Sequence, residues 1–293
     1  MAYKIFTDAA CDLTQQMADE LNLTVLPMEF SIDGKQYKNY LDNRELDADV
    51  FYNMQRNDEA KEWKTSAINA GTFTEYFEAS LKEGDDILYI AFSSGLSGTY
   101  NASLIAIDDL KEKYPERKII AVDTLCASLG QGLMVYLAAQ KKNEGASIEE
   151  VAKYIEDTKL HICHSFTVEN LKQLHKGGRV SATVAVVGGI LNIKPIMKVD
   201  NNGKLISVGK VRGRAASIKG LCDSMEGKAD DYATQHLFIS HGGCIEEARN
   251  LANMVSEKYG TPIENIHINF VGPLIGCHSG AGTLALFFVG NER

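Results

Sequence analysis

The first half of the chain alternates short β-rich runs with longer segments that have helical periodicity. Residues 3–7, 86–92 and 118–124 are rich in β-branched and aromatic residues, and each is followed by a helical start or an apolar helical pattern. Such alternation is typical of a parallel sheet with helices on both faces, which binds its ligand beyond the carboxyl ends of the strands. A hairpin is predicted at Asp33-Gly34, beside this sheet.

The second half of the chain has a different pattern. Residues 160–166, 236–241 and 266–271 are predicted strands, and Asn201-Asn202-Gly203 is a strong hairpin signal between two further strands. We therefore predict an α/β protein in which an N-terminal parallel-sheet α/β domain, residues 1–160, packs on a C-terminal α+β domain, residues 161–293. A cleft between the two domains is the expected ligand pocket.

The charge distribution argues against some classes of partner. Thirty Lys and Arg residues stand against 39 Asp and Glu residues, and the resulting net charge of −9 repels nucleic acids and anionic lipid surfaces. We therefore expect no nucleic-acid binding. No run of residues is uniformly apolar enough for a membrane helix, so we also expect no stable membrane insertion. The basic segment, residues 172–219, carries ten Lys and Arg residues and one acid, and this excess permits a regulator that binds an acidic partner.

Cysteine usage and the first residues indicate a cytoplasmic protein. The six cysteines are scattered without a C-x-x-C pair or zinc spacing, which favours reduced thiols. Asp8 and Asp12 interrupt the region where a signal peptide needs an apolar core. His161, Cys163 and His164 lie close together in sequence but lack a second ligand cluster, so we expect no metal site.

Residues 93–100, Ser-Ser-Gly-Leu-Ser-Gly-Thr-Tyr, carry the strongest local signal. They follow a predicted buried strand and precede a predicted helix, so backbone N–H groups and several hydroxyls converge where the helix dipole favours an anion. A plain helix cap with glycines for the turn is the simpler alternative. The Walker phosphate motif is absent. Gly130 and Gly132 lack the third glycine of a dinucleotide fingerprint, so we expect them to permit close helix packing.

Two other segments carry side chains that suit an anionic ligand. Thr65 and Ser66 precede a predicted helix, although taken alone they are better explained as an ordinary cap or loop. His278 lies among small residues at a predicted turn, where a ligand can approach its imidazole, but a lone histidine is more often structural. Ser97 with the downstream His278 also permits a serine esterase, yet the second glycine of a nucleophile elbow comes one residue early.

Taken together, these segments resemble the DegV family. The matching segments, in the family's order, are Thr7-Asp8 with Asp12-Leu13, Thr65-Ser66, residues 93–100, Asp123 with Ser128-x-Gly130-x-Gly132, residues 171–179, residues 193–195, Gly209-Lys210 with Arg212, residues 239–242, and Gly276-x-His278-x-Gly280. The resemblance implies a two-domain cytosolic protein that binds a long-chain fatty acid such as palmitate and has no other cofactor. It also implies a carrier rather than an enzyme, which presents the acyl carboxylate to a separate ATP-dependent fatty acid kinase.

The resemblance also implies which residues bind the fatty acid. The implied set is Thr65, Ser66, Ser94, Ser97, Gly98, Thr99, Arg179 and His278. Within it the hydroxyls of Thr65 and Ser97 hold the carboxylate, and Arg179 lies near the head group or on the kinase-docking face. Residues 180–193 and 283–289 are candidates for the apolar lining of an inter-domain tunnel. Family prolines are replaced at Ile68 and Ala281, which leaves the carboxylate-binding side chains in place.

Overall fold

The computed structural model describes residues 3–58, 60–182, 192–229 and 231–293. Its strands are β1 (Tyr3–Asp8), β2 (Leu23–Leu26), β3 (Met28–Ile32), β4 (Lys35–Asn39), β5 (Trp63–Ser66), β6 (Asp86–Ala91), β7 (Ile119–Asp123), β8 (Ile162–Thr167), β9 (Ile193–Val199), β10 (Leu205–Arg212), β11 (Leu237–His241), β12 (Ile266–Phe270) and β13 (Leu284–Val289). Its α-helices are α1 (Gln15–Glu20), α2 (Ala48–Asn57), α3 (Ala70–Glu83), α4 (Thr99–Lys113), α5 (Leu129–Asn143), α6 (Ile148–Thr158), α7 (Lys172–Lys176), α8 (Arg214–Asp223), α9 (Ile245–Tyr259) and α10 (Pro273–Ser279).

The predicted parallel sheet is present, with strand order β2-β1-β6-β7 and parallel pairing throughout. Because successive side chains of a strand point to opposite faces, the sheet buries two separate layers. Ile5 and Leu88 pack with residues of α5 and α6, whereas Phe6 and Tyr89 pack with residues of α3 and α4. With both faces covered, the ends of the strands are the part of this sheet that can receive a ligand.

A small antiparallel sheet, ordered β4-β3-β5, lies beside the parallel sheet. The predicted hairpin at Asp33-Gly34 joins β3 to β4, and both turn residues have positive φ, 49° and 82°. β5 pairs with β3 so that Thr65 lies opposite Phe30. The pairing with β3 therefore fixes the position of Thr65.

The second half of the chain forms a mixed sheet with strand order β10-β9-β8-β13-β11-β12. Its pairs are antiparallel except for β11 with β12. The predicted hairpin at residues 201–203 joins β9 to β10. Along β13, Ala285 and Phe287 face one hydrophobic cluster, while Leu286 and Phe288 face another that contains residues of α8 and α9. The predicted mixed α/β architecture is thus confirmed.

Helices from each half of the chain pack on the sheet formed by the other half. α5 contacts β8, β11 and β13, whereas α10 contacts β3, β5 and α2. Tyr52 Oη of α2 donates to the carbonyl of Val271 at 2.6 Å, and Gln55 Nε2 donates to the carbonyl of Gly276 at 2.9 Å. The strands before and after residue 160 belong to different sheets, but helices from each half pack on the sheet of the other half. The domain boundary near residue 160 therefore stays a prediction.

Candidate functional site

A large cavity lies between the two main sheets, at the carboxyl ends of the parallel strands. It encloses about 970 Å³ of space between atoms, including solvent at its mouth. Its apolar wall consists of Met28, Ala67, Phe92, Leu96, Ala127, Phe166, Leu174, Val199, Leu205, Val271, Leu274, Ile275, Ala285 and Phe287. The polar side chains on the wall are Thr65, Ser66, Ser97, Ser128, His164, Arg179, Ser240, His278, Ser279 and Thr283. An apolar cavity with few polar groups is typical of a small-molecule site.

The cavity mouth is the partly exposed end of the cavity, lined by Thr65, Ser66, Ser97, Gly98 and His278. Thr65 Oγ1 and His278 Nε2 are hydrogen-bonded at 2.8 Å, although the two residues are 213 positions apart in sequence. Thr65 comes from β5, and His278 comes from the last turn of α10, which begins with Pro273 at its first position. The sequence predicted a turn at His278, whereas the structure has a helix there.

The imidazole of His278 is neutral at physiological pH. Burial and, to a smaller extent, the positive charge of Arg179 together lower its pKa to about 4. Its Nδ1 is buried and, within the part of the chain that the structure describes, has no hydrogen-bond partner. Gly177 lies directly against the ring, since a Cβ added there would lie 2.2 Å from Nδ1. Any side chain at residue 177 would collide with the imidazole, so the ring can lie here only because residue 177 is glycine.

The loop between β6 and α4 is fixed by the ends of neighbouring strands. The carboxylate of Asp8 accepts from the N–H of Phe92 at 3.1 Å, and Asp123 Oδ1 accepts from the N–H of Ser94 at 3.1 Å. Ser93 Oγ donates to the carbonyl of Gly203, in the hairpin between β9 and β10, at 2.9 Å. The loop is therefore held from both halves of the chain.

Helix α4 begins at this loop and points its N-terminus to the cavity mouth. Gly98 is its N-cap and has no side chain to cap it, although Ser97 Oγ accepts from the N–H of Thr99 at 3.3 Å. The hydroxyls of Ser97 and Thr99 are hydrogen-bonded at 2.9 Å, and both Ser97 and Gly98 line the cavity. The other first-turn N–H groups and the positive end of the helix dipole can bind an anion.

Arg179 links this loop to the turn at residues 177–179, in which Arg179 itself lies. Its Nε and Nη2 donate to the carbonyl of Leu96 at 3.2 and 3.0 Å, and its Nη1 donates to the carbonyl of Gly177 at 2.5 Å. Burial lowers the pKa of the guanidinium. The hydrogen bonds of Arg179 thus hold the turn at residues 177–179, which contacts His278, against the loop that carries Ser97.

The structure brings most of the predicted binding residues to one place. The residues that line the cavity are Thr65, Ser66, Ser97, Gly98, Arg179 and His278. Two others do not line it: the backbone of Ser94 is bound to Asp123, and Thr99 is buried behind Ser97. The roles of all these residues in binding stay predictions. Ser94 and Thr99 are better placed to support the loop.

The predicted apolar lining is found in part. Thr283, Ala285 and Phe287 of the segment 283–289 line the cavity, in the alternation that a strand requires. Of the segment 180–193, Val180 is buried in a hydrophobic cluster, and residues 183–191 lie outside the described residues.

Sequence reasoning missed the buried polar groups of the cavity. Ser128, His164 and Ser240 line it but are each less than a tenth exposed. Ser128 follows β7, so the rule that ligands bind beyond parallel strands could have identified it. Gly130 packs closely as predicted, since a Cβ there would lie 2.2 Å from His164 Nε2.

The geometry does not pair Ser97 with His278, as the predicted serine esterase requires. His278 Nε2 is bonded to Thr65, and the Ser97 hydroxyl is bonded to Thr99.

For a metal, the described residues contain no group of three or more His, Cys, Asp or Glu side chains that could hold an ion. The same residues include no helix long and apolar enough to cross a membrane.

The basic segment, residues 172–219, is partly neutralised within the chain. Lys194 pairs with Glu169, Arg214 pairs with Glu247 at 2.5 Å, and Lys219 pairs with Asp223. These ion pairs reduce the positive charge available to an acidic partner. Of the three, the Lys219–Asp223 pair is exposed and contributes little stability.

Comparison with known proteins decides the family. The family model described as "Uncharacterised protein, DegV family" matches residues 2–291. The chain belongs to the DegV family. A DegV domain-containing protein of Clostridium perfringens is 45% identical to it over 291 residues, which cover 99% of this chain and 98% of the relative. The resemblance predicted from the motifs is therefore confirmed.

Two solved structures share the DegV fold with this chain. One, described as fatty acid binding of a DegV family protein from Thermus thermophilus, is 26% identical, covers 99% of this chain and 100% of its own, and has a TM-score of 0.86. The other is the Streptococcus pneumoniae fatty acid kinase (Fak) B3 protein loaded with linoleic acid. It is 22% identical, covers 99% of this chain and 100% of its own, and has a TM-score of 0.84.

Proposed function

We propose that this DegV protein binds a long-chain fatty acid and presents its carboxylate to a fatty acid kinase, without catalysing a reaction itself. The carboxylate lies at Thr65, Ser97 and His278, and the acyl chain lies in the cavity between the two main sheets. The observation that carries the proposal is the Thr65–His278 hydrogen bond at the mouth of a mainly apolar cavity.

The cavity mouth suits a carboxylate that must remain reactive. A carboxylate leaving water needs hydrogen-bond donors, and the hydroxyls, the imidazole and the N-terminus of α4 can supply them. None of these groups carries a full positive charge, because the imidazole of His278 is neutral at physiological pH. Ser66 and Gly98 at the mouth are exposed, so a kinase can reach the head group.

The cavity wall suits the acyl chain. Burial of the roughly fourteen methylenes of palmitate at about 0.8 kcal/mol each stabilises the complex by ~11 kcal/mol before the costs of ordering and association. The relative from Thermus thermophilus is described as binding a fatty acid, and the fatty acid kinase B3 protein shares the fold. Both observations support the proposal.

Mass spectrometry of the purified protein under denaturing conditions tests fatty-acid binding. We expect a long-chain acid to be released from the wild-type protein, and delipidated protein to take up palmitate. Thr65→Val should abolish most of this uptake. Thr24→Val is the matched control, because Thr24 is also a half-buried strand threonine but does not line the cavity. Failure to recover an acid, together with failure to take up palmitate, would contradict the proposal.

An assay of acyl-phosphate formation tests the presentation step. A fatty acid kinase, ATP, palmitate and hydroxylamine should give acyl hydroxamate only when this protein is present. Formation without this protein, or none with it, would argue against a carrier role. The same preparation should not hydrolyse an activated ester, and hydrolysis that is lost in Ser97→Ala would support the esterase instead.

A further inference from the structure

The buried end of the cavity contains a chain of hydrogen-bonded polar side chains. We call this end, lined by Ser128, His164 and Ser240, the cavity floor. Ser128 Oγ donates to Asp12 Oδ2 at 2.5 Å and lies 3.0 Å from Ser240 Oγ. Asp12 is held in turn by the N–H of Gly272 at 3.0 Å. Ser128 is 6% exposed and Ser240 is fully buried, so these hydroxyls are shielded from bulk water.

The two serines differ from the other buried polar side chains on the wall: His164 and Thr283 have their hydrogens committed to backbone carbonyls, and Ser279, whose buried hydroxyl has no partner among the described residues, lies next to His278 of the mouth. Both ring nitrogens of His164 have backbone partners, the carbonyl of Ile162 at 2.9 Å and the N–H of Ala127 at 3.2 Å. Thr283 Oγ1 donates to the carbonyl of Gly280 at 2.7 Å. Among the residues described, Ser128 is the one partner of the Ser240 hydroxyl, whose oxygen keeps acceptor capacity.

We infer that the cavity floor is a second polar subsite, which receives a hydroxyl group carried by the acyl chain of the ligand. The ligand class is a hydroxylated long-chain fatty acid. This inference rests on the proposed function, because the carboxylate must first be held at the cavity mouth. It adds a requirement on the ligand that the mouth alone does not impose.

The hydrogen bonds that link Asp12, Ser128 and Ser240 can run in either direction, and a hydroxyl on the ligand fits both. When Ser128 donates to an ionised Asp12, Ser240 donates to Ser128 and accepts from the ligand. Burial raises the pKa of Asp12 to about 8, so its protonated form can donate to Ser128 and the chain reverses. Ser240 then donates to the ligand. A hydroxyl can donate and accept, whereas a carbonyl fits only the second direction.

The remaining wall makes this subsite selective for position. A hydroxyl placed against the apolar wall loses its water partners and gains none, which weakens binding by roughly 10- to 100-fold. Away from Ser279, which lies next to His278 of the mouth, only a hydroxyl that reaches Ser240 or Ser128 meets a group that can both donate and accept, because the hydrogen of Thr283 is committed to Gly280. The affinity should therefore depend sharply on which carbon of the chain carries the hydroxyl.

A scan of the hydroxyl position tests the inference. Delipidated wild-type protein is titrated with stearic acid and with monohydroxystearic acids that carry the hydroxyl at successive carbons. We expect losses of about 10- to 100-fold at most carbons, and a loss below about threefold at one carbon or two adjacent ones. In Ser240→Ala the protected position should lose affinity like its neighbours, while stearic acid binds within about twofold of wild type.

Two further variants keep the test decisive. Ser279→Ala is the matched control, because Ser279 also lines the cavity with a buried hydroxyl, one that has no partner among the described residues, but it is next to His278. It should leave the profile unchanged. Ser240→Cys, with a weak hydrogen-bonding group of similar size, replaces Ser240→Ala if that variant does not fold.

The outcomes separate this inference from the proposed function. If stearic acid does not bind to the wild-type protein, the proposed function fails. If stearic acid binds but every hydroxyl position costs the same, the inference alone is overturned. It is also overturned if the protected position persists in the Ser240 variants, or disappears in Ser279→Ala.

Discussion

The mouth and the floor of the cavity each contain a histidine together with hydroxyl side chains, but their hydrogen bonds differ. At the mouth, His278 is half-buried, bonds to Thr65 through one nitrogen, and has no described partner at the other. At the floor, both nitrogens of His164 are bonded to backbone groups. His278 is available to a ligand, whereas His164 holds β8 against the loop that follows β7.

This difference teaches that exposure and spare hydrogen-bond capacity, rather than residue type, distinguish a binding group from a structural one. A buried polar group that loses its partner costs stability, whereas an exposed group can exchange its partner for a ligand. The same substitution at the two histidines should therefore have opposite consequences. The predictions below compare them, from the largest effect to the smallest.

His164→Leu should lower the free energy of unfolding by about 2 to 4 kcal/mol, because it leaves the buried N–H of Ala127 without its partner. Chemical denaturation of delipidated protein measures this change. Palmitate affinity, measured where the variant is folded, should fall by less than about fivefold, since the head group lies at the mouth. A stable variant with strongly weakened binding would mean that the floor histidine acts on the carboxylate.

His278→Leu should lower palmitate affinity by about 10- to 100-fold, because one donor to a charged carboxylate is lost. The free energy of unfolding should change by less than about 1 kcal/mol, because Nδ1 has no partner to lose within the described chain and the half-buried Thr65 hydroxyl, once released from Nε2, can bond to water. Calorimetric titration and denaturation of one preparation give both values. Unchanged affinity would remove His278 from the binding site.

Ser97→Ala should weaken palmitate binding by about 3- to 10-fold, since the N-terminus of α4 still supplies donors. Ser94→Ala, its matched control in the same loop, should change affinity by less than about twofold, because the side chain of Ser94 does not line the cavity. Equal losses in both variants would indicate that the loop, rather than the Ser97 hydroxyl, determines affinity.

Palmitate should raise the pKa of His278 from about 4 by about one unit and leave that of His164 unchanged, because the carboxylate lies beside the first ring only. Nuclear magnetic resonance of the two imidazoles checks this. Without ligand, the folded pKa of His278 lies below its unfolded value of about 6.5. The stability that it contributes is therefore complete above pH 6.5 and is lost as the pH falls toward 4. A pKa unaffected by palmitate would place the head group elsewhere.

Much of the fold could be predicted because its signals are local. The alternation of strands and helices indicates the parallel sheet, and Asp33-Gly34 indicates a hairpin that the structure confirms. The motif around residues 93–100 lies at the cavity, where ligands of parallel sheets bind.

The rest depends on contacts that local sequence does not encode. His164 and His278 differ in partners that come from distant segments, such as Ala127 and Thr65. Whether Ser94 or Ser97 faces the cavity depends on the bond that Asp123 makes to the loop. The crossing of α5 and α10 onto the opposite sheets likewise appears only in three dimensions.

The separation of 213 residues between Thr65 and His278 has a consequence for synthesis on the ribosome. The N-terminal part of a chain emerges and can begin to fold first. Thr65 and the loop at Ser97 are therefore in place long before α10 has been translated. On the proposed function, a nascent chain therefore has no complete carboxylate site until its last segments emerge, and unfinished protein does not sequester fatty acid.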